Sequence, residues 1–321
     1  MLWASQAAYR TGSLMEFPMT NVITVKNLCK SYGSTVAVDD VSFDVAQGEI
    51  FAILGPNGAG KTTAVETIVG LRRPDRGNIS VLGIDPQRDA QALRQHIGVQ
   101  LQQAAVPQRL KVREILDLFA SFYTTTVPRD RLIEQWGLAE KRNAYFGNLS
   151  GGQQQRLFIA LALINDPDIV FFDELTSGLD PQARRATWDL VQGVRAQGKT
   201  VVLVTHAMDE AELLADRVAI IDHGRIVALD APQALIRRIQ PDSQVRFTTS
   251  NGFDPALLQQ VEGVNAVERH GSQVTVRGSG PLLSRVAHAL AEQHMEPADL
   301  RQERATLEDV FLAATGRGLR D

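Results

Sequence analysis

The 321-residue chain is 44% hydrophobic and 22% charged with a net charge of -4, an ordinary globular composition with length for about two domains. No apolar run approaches the ~20 residues that cross a bilayer, and the mild acidity argues against a nucleic-acid coat, which favours a basic face. The single cysteine, Cys29, excludes an internal disulfide and a cysteine-cluster metal site.

Residues 1–20 hold only short apolar pieces, broken by Gln6, Tyr9 and Arg10, so they lack the apolar core of a signal peptide and read as a disordered tail. Alternating apolar and polar residues predict strands over 22–27 and 36–45 on a half-exposed sheet. Residues 48–54, 167–174 and 200–206 are short apolar runs bounded by turn or helix signals, the pattern of buried parallel strands. Helical stretches near 60–70, 181–197 and 208–214 supply the crossovers of an α/β sheet. Residues 103–165 interrupt that rhythm and predict an almost entirely helical subdomain inserted into the core. The segment 217–230 predicts a hairpin turning at His223 and Gly224, a helix follows near 232–239, and the core ends at Pro241 and Asp242. Residues 241–321 then read strand, helix, strand, strand, helix, strand, the split-βαβ order of a ferredoxin-like α+β domain. A closing helix starts at Thr306, with Asp309 three residues on as in a capping box.

Three motifs and one histidine point to chemistry. "GPNGAGKT", Gly55 to Thr62, fits G-x-x-x-x-G-K-[ST] between a strand and a helix, the context of a phosphate-binding loop. Gly58 and Gly60 let backbone amides turn toward phosphate oxygens, Lys61 supplies charge to the β and γ phosphates, and Thr62 supplies a hydroxyl for magnesium. "DIVFFDE" ends in two carboxylates at the carboxyl end of a strand, where open α/β sheets hold ligands. Asp173 is placed to hold magnesium and Glu174 to orient and deprotonate an attacking water. His206 ends the next buried strand and could hydrogen-bond a γ-phosphate, whereas His96, His223, His270, His288 and His294 read as structural. "LSGGQ", Leu149 to Gln153, stands before a helix whose exposed N–H groups form a second anion site with no lysine of its own.

In order, "GPNGAGKT", "LSGGQ", "IVFFDE", "SGLD" and the histidine of "VTH" resemble the ATP-binding subunit of ABC transporters over about residues 22–238. The tail "LEDVFLAATGR" is similar to the C-terminal extension of daunorubicin-type drug-exporter ATPases. The resemblance implies a P-loop core with an antiparallel β-subdomain and a helical subdomain, 21–240, followed by a C-terminal accessory α+β domain, 241–321. It also implies a head-to-tail homodimer in which each ATP lies between one copy's loop, Gly55, Pro56, Asn57, Gly58, Ala59, Gly60, Lys61, Thr62 and Thr63, and the other copy's Ser150, Gly151, Gly152 and Gln153. Lys61 of the opposite copy then neutralises the phosphate that the second turn meets. Tyr32 matches the aromatic on which adenine stacks, an exposed strand tyrosine being the rival reading. Gln102 is assigned as the magnesium-sensing glutamine at the end of the inward run Ile97, Val99 and Leu101, with Gln100 and Gln103 as the neighbouring registers. Asp180 matches the residue linking the two sites, and Leu175 departs from the proline usual after the catalytic glutamate.

The expected function is an ATPase, with ATP and Mg2+ as cofactors, that powers an exporter from the cytoplasmic face through a separately encoded permease. The helical insert after Gln102 receives the permease, and no nucleic-acid partner is expected. A soluble ABC ATPase of translation or DNA repair shares these nucleotide motifs, but such proteins carry paired cassettes or a long coiled coil, and this chain has one cassette and no heptad tract. A non-hydrolysing nucleotide sensor is expected to lose the glutamate or the signature, and both are intact.

Overall fold

The computed structural model describes residues 20–101, 106–239, 242–249, 253–293 and 295–316. Strands β1 (Asn21–Tyr32) and β2 (Thr35–Ala46) form an antiparallel pair, and β3 (Ile50–Leu54) leads into helix α1 (Lys61–Ile68). Strand β4 (Arg76–Val81) pairs back on β1, which makes a three-stranded antiparallel sheet, and α2 (Ala90–His96) then delivers β5 (Ile97–Gln100). Neither β4 nor α2 carries a periodicity long enough to read from the sequence. Helices α3 (Val112–Ala120), α4 (Arg129–Gln135) and α5 (Gly151–Ala162) form the insert.

The insert is less helical than its sequence predicts. Between α4 and α5 run irregular segments with two single-turn helices, Ala139–Lys141 and Phe146–Asn148. The breaks have local causes: Pro128 stands immediately before α4, and Gly137 ends it in the left-handed region at φ 63°.

Next come β6 (Ile169–Asp173), α6 (Pro181–Ala196), β7 (Thr200–Thr205), α7 (Met208–Leu214), β8 (Arg217–Asp222), β9 (Arg225–Asp230) and α8 (Pro232–Ile239). The central sheet runs β5-β6-β7-β3-β8-β9, parallel except for the last pair, a hairpin turning at His223 and Gly224 as expected.

The apolar runs of β3, β6 and β7 follow from burial on both faces. In β3, Ile50, Ala52 and Leu54 point into the core shared with the helices, while Phe51 and Ile53 enter a second core beneath the antiparallel sheet. The same alternation divides Val170 and Phe172 from Ile169 and Phe171, and Val201 and Leu203 from Val202 and Val204. Phe43 and Phe51 stack with ring centroids 5.0 Å apart and tie the two sheets together.

The last third comprises β10 (Ser243–Thr248), α9 (Ala256–Gln259), β11 (Val264–His270), β12 (Gln273–Gly278), α10 (Leu282–Glu292), β13 (Ala298–Glu303) and α11 (Leu307–Thr315). Its antiparallel order β11-β12-β10-β13 is that of a ferredoxin-like sheet, with its own core around Phe247, Val274, Val276 and Val286. Helix α11 does not close this unit. Its N-cap Thr306 accepts from Asp309 N–H and Asp309 answers to the Thr306 backbone, and Leu307, Val310 and Phe311 then bury into the core shared with α7 and α8. Among the described residues no helix is long and apolar enough to cross a membrane.

Candidate functional site

Three adjacent strand ends build the site. Register pairs Leu54 with Thr205 and Asp173 with Val204, so Gly55, Glu174 and His206 leave the same edge of the sheet together. The loop from Gly55 to Gly60 is fixed by contacts that exclude side chains. A Cβ at Gly60, where φ is 100°, would lie 2.0 Å from the Ala37 carbonyl oxygen, and one at Gly55 would lie 2.1 Å from that of Ile221. The loop thereby leads into the N-terminus of α1, with Ala59 buried and Asn57 and Gly58 exposed.

Lys61 is buried, and its Nζ donates to the carbonyls of Gly55 at 2.8 Å and Pro56 at 2.9 Å. Burial pulls its pKa down from the ordinary lysine value, opposed by the carboxylates of Glu174 and Asp173. Thr62 donates its hydroxyl to Asp173 Oδ2 at 3.2 Å. The other carboxylate oxygen, Oδ1, is buried without a hydrogen-bond partner. Burial, reinforced by Glu174 and opposed by the Thr62 hydroxyl and Lys61, pushes the Asp173 carboxyl up to about 6.

Glu174 adopts the left-handed conformation at φ 52°, and its N–H donates to the Val204 carbonyl at 2.8 Å. Its Oε1 lies 3.1 Å from His206 Nδ1 and its Oε2 accepts from the Ser177 hydroxyl at 3.1 Å. Leu175, in the place of the usual proline, is buried in the main core and anchors this turn by apolar packing. Pro56, Asn57 and His206 open onto a cleft of about 630 Å³, and Glu308 of α11 forms part of its wall.

Other residues singled out in the sequence lie apart from this centre. Ser150 caps α5, accepting from Gln153 N–H at 3.4 Å while Gln153 Oε1 accepts from Ser150 N–H at 3.0 Å. Ser150 and Gly151 are exposed, and a Cβ at Gly151 or Gly152 would meet nothing within 4 Å, so the approach to the backbone of these two glycines is open. Asp180 caps α6 with bonds of 2.9 Å from Gln182 and Ala183 N–H. Tyr32 ends β1, is 42% exposed, and has Lys30 Nζ and the Arg72 guanidinium each 5.5 Å from its ring centroid. Gln102 and Gln103 lie outside the described residues. The run leading to them differs from expectation: Ile97 is buried, but Val99 and Leu101 are half-buried and Gln100 is buried, its Oε1 3.4 Å from Gln155 Nε2. Val99, Leu101 and the 63% exposed Phe122 line, together with Arg94 and Gln95, a mixed polar and apolar pocket of about 490 Å³.

The geometry coincides with similarity to known proteins. A family description, ABC transporter, matches residues 38–177. The Nod factor export ATP-binding protein I of Burkholderia orbicola is 38% identical over 310 residues, spanning 93% of this chain and 98% of that protein. The chain belongs to the ATP-binding proteins of ABC transporters. The daunorubicin resistance ATP-binding protein DrrA3 of Streptomyces coeruleorubidus is 37% identical over 302 residues, covering 92% of this chain and 96% of the relative. A dimeric bacterial ABC transporter cassette of solved structure matches with a TM-score of 0.57 and 29% identity over 65% of this chain and 98% of its own. This ABC protein is therefore an ATPase.

Sequence reading missed one charged residue near the centre. Glu210 on α7 is 1% exposed, and its advance signal is the i+4 relation to Leu214, which puts it on the inward face.

Proposed function

We propose that this ATPase powers export through a separately encoded permease, and that two copies pair head to tail with ATP between them. The observation that carries this reading is the separation within one chain of two anion-binding helix starts. Lys61, Thr62, Asp173, Glu174 and His206 gather at one sheet edge, and the exposed turn Ser150–Gln153 stands on α5, which packs mainly on β5, α6 and α3. A lysine-free anion site facing outward suits a phosphate whose charge is met by the other copy's Lys61. Asp180 at the start of α6 is the residue assigned to link the two sites across the pair, and Tyr32 offers the exposed ring for adenine.

The residues fit magnesium. Asp173 has a carboxylate oxygen without a partner, Thr62 adds a hydroxyl, and among the described residues no cluster of three histidines, cysteines or carboxylates competes as an all-protein metal site. That set suits an ion that takes most ligands from phosphates and water. Thr62 and Asp173 would hold it, with Gln102 as the proposed third side chain, and bound magnesium neutralises charge on the β and γ phosphates. Glu174 orients and deprotonates the attacking water. His206 holds the glutamate through Nδ1 and leaves its other face toward the cleft shared with Asn57.

The division at about residue 240 into cassette and accessory unit belongs to the same proposal, as does attachment to the cytoplasmic face of the membrane. The pocket at Val99, Leu101 and Phe122 is where cytoplasmic helices of the permease would seat. The named relatives, one for Nod factor export and one for daunorubicin resistance, favour an exported cargo, with drug-like or lipid-like molecules as our candidates. Glu174→Gln tests the pairing: it should bind ATP, hydrolyse it poorly and elute as a dimer with ATP. A monomeric elution at saturating ATP would refute the shared site.

A further inference from the structure

We infer that Glu210 is a positioning residue for hydrolysis, a buried carboxylate bonded to helix α6 and packed between the segment after Glu174 and the strand end before His206. This rests on the roles given to Glu174 and His206 above. Glu210 sits in the first turn of α7, four residues after His206, where a glutamate ordinarily faces solvent. Here it is 1% exposed.

Each partner comes from a different element of the centre. The Trp188 indole N–H on α6 donates to Glu210 Oε1 at 3.1 Å. The hydroxyls of Thr205, which closes β7, and of Thr176, two residues after Glu174, lie beside the same carboxylate and favour its ionised form. Thr205 has one proton to give, and its oxygen already accepts from Ala207 N–H at 3.0 Å, so its orientation is fixed from both sides. Burial pushes the Glu210 carboxyl up, and these three donors oppose it.

An acceptor-only carboxylate in this position has a consequence for the reaction. Thr176 and Thr205 flank the two residues whose side chains meet at 3.1 Å, Glu174 and His206. Glu210, tied to α6 through Trp188, sits between these two flanking segments, and the glutamate–histidine distance depends on their spacing. Asp209 and Glu212 on α7 face elsewhere: Asp209 pairs with Arg184 at 3.4 Å, and Glu212 accepts from Leu307 N–H at 3.3 Å, the start of α11. Helix α7 therefore joins the hydrolytic pair on one side to the C-terminal helix on the other. A displacement of a catalytic group by a fraction of an ångström is enough to lower turnover without altering how substrate binds.

Glu210→Gln keeps the shape but replaces one acceptor with a donor that faces a donor. The expected result is a kcat lowered about tenfold or more with ATP affinity, read by calorimetry, held within about twofold. Trp188→Phe, which removes a single donor and keeps an aromatic core residue, should lower kcat less and in the same direction. The decisive readout is a double-mutant cycle with His206→Ala: in that background Glu210→Gln should cost no more than about twofold, because the pair it positions is already broken. Equal losses in both backgrounds, or a parallel fall in ATP affinity, overturn the positioning role. Single variants Glu174→Gln and His206→Ala that retain full turnover overturn the underlying site assignment instead, and so the two failures are distinguishable.

Discussion

Asp173→Asn separates the cost of building the site from its use. Asp173 is 1% exposed, and its carboxyl is raised from 3.8 to about 6. A raised value in the folded chain means the contribution to stability is present below about 3.8 and is lost as pH rises through about 6. At about 1.36 kcal/mol per unit, ionised Asp173 costs the nucleotide-free protein about 3 kcal/mol at pH 7.5. The amide must leave one N–H poorly paired, at about 1 kcal/mol, which sets the expected net gain for Asp173→Asn at about 2 kcal/mol. At pH 5 the ionisation cost falls to about half, so the gain should shrink to about 0.5 kcal/mol. Denaturant midpoints at the two pH values, without nucleotide, measure both. Saturating magnesium and ATP should reverse the order, because ligand at about 100 times its dissociation constant adds about 2.7 kcal/mol to the wild type alone. A substituted protein that is less stable than wild type at pH 7.5 without ligand, or a gap unchanged at pH 5, refutes the burial argument.

Lys61→Ala should reduce ATP binding at least about 100-fold in calorimetric titration, since it removes the charge meeting two phosphates. Gly60→Ala should cost about 1–3 kcal/mol in a denaturant midpoint and lose ATP binding, because φ of 100° and a Cβ 2.0 Å from the Ala37 carbonyl force the loop open. Phe311→Ala, at a side chain 1% exposed in the cassette core, should cost about 3–5 kcal/mol and raise amide exchange in α11 and α8 before the ferredoxin-like sheet.

The centre was legible because its parts sit at the ends of apolar runs. "EIFAIL", "IVFFDE" and "TVVLVTH" fix where each strand stops, and parallel order brings the residue after each stop to one edge. Long-range packing was not legible. The capping box at Thr306 announces a helix but cannot say that Phe311 docks on α7 and α8 instead of on the sheet it follows. The insert read as more helical than it is because apolar spacing alone does not register Pro128 or Gly137 as breaks. Glu210 reads as solvent-facing by residue type; only the assembled fold supplies Trp188, Thr176 and Thr205 as partners. The orphaned oxygen of Asp173 is likewise a property of burial, which sequence gives only by inference from its strand.

The most direct test of a shared ATP site mixes two inactive chains. Lys61→Ala disables the phosphate-binding loop, and Gly151→Arg blocks the signature turn at a position where a side chain meets no heavy atom within 4 Å of its own chain. If each ATP lies between copies, a one-to-one mixture contains heterodimers with one intact site, and turnover returns to about a quarter of the wild-type value. If each chain completes its own site, every site in the mixture carries a defect and turnover stays at the level of the separate variants.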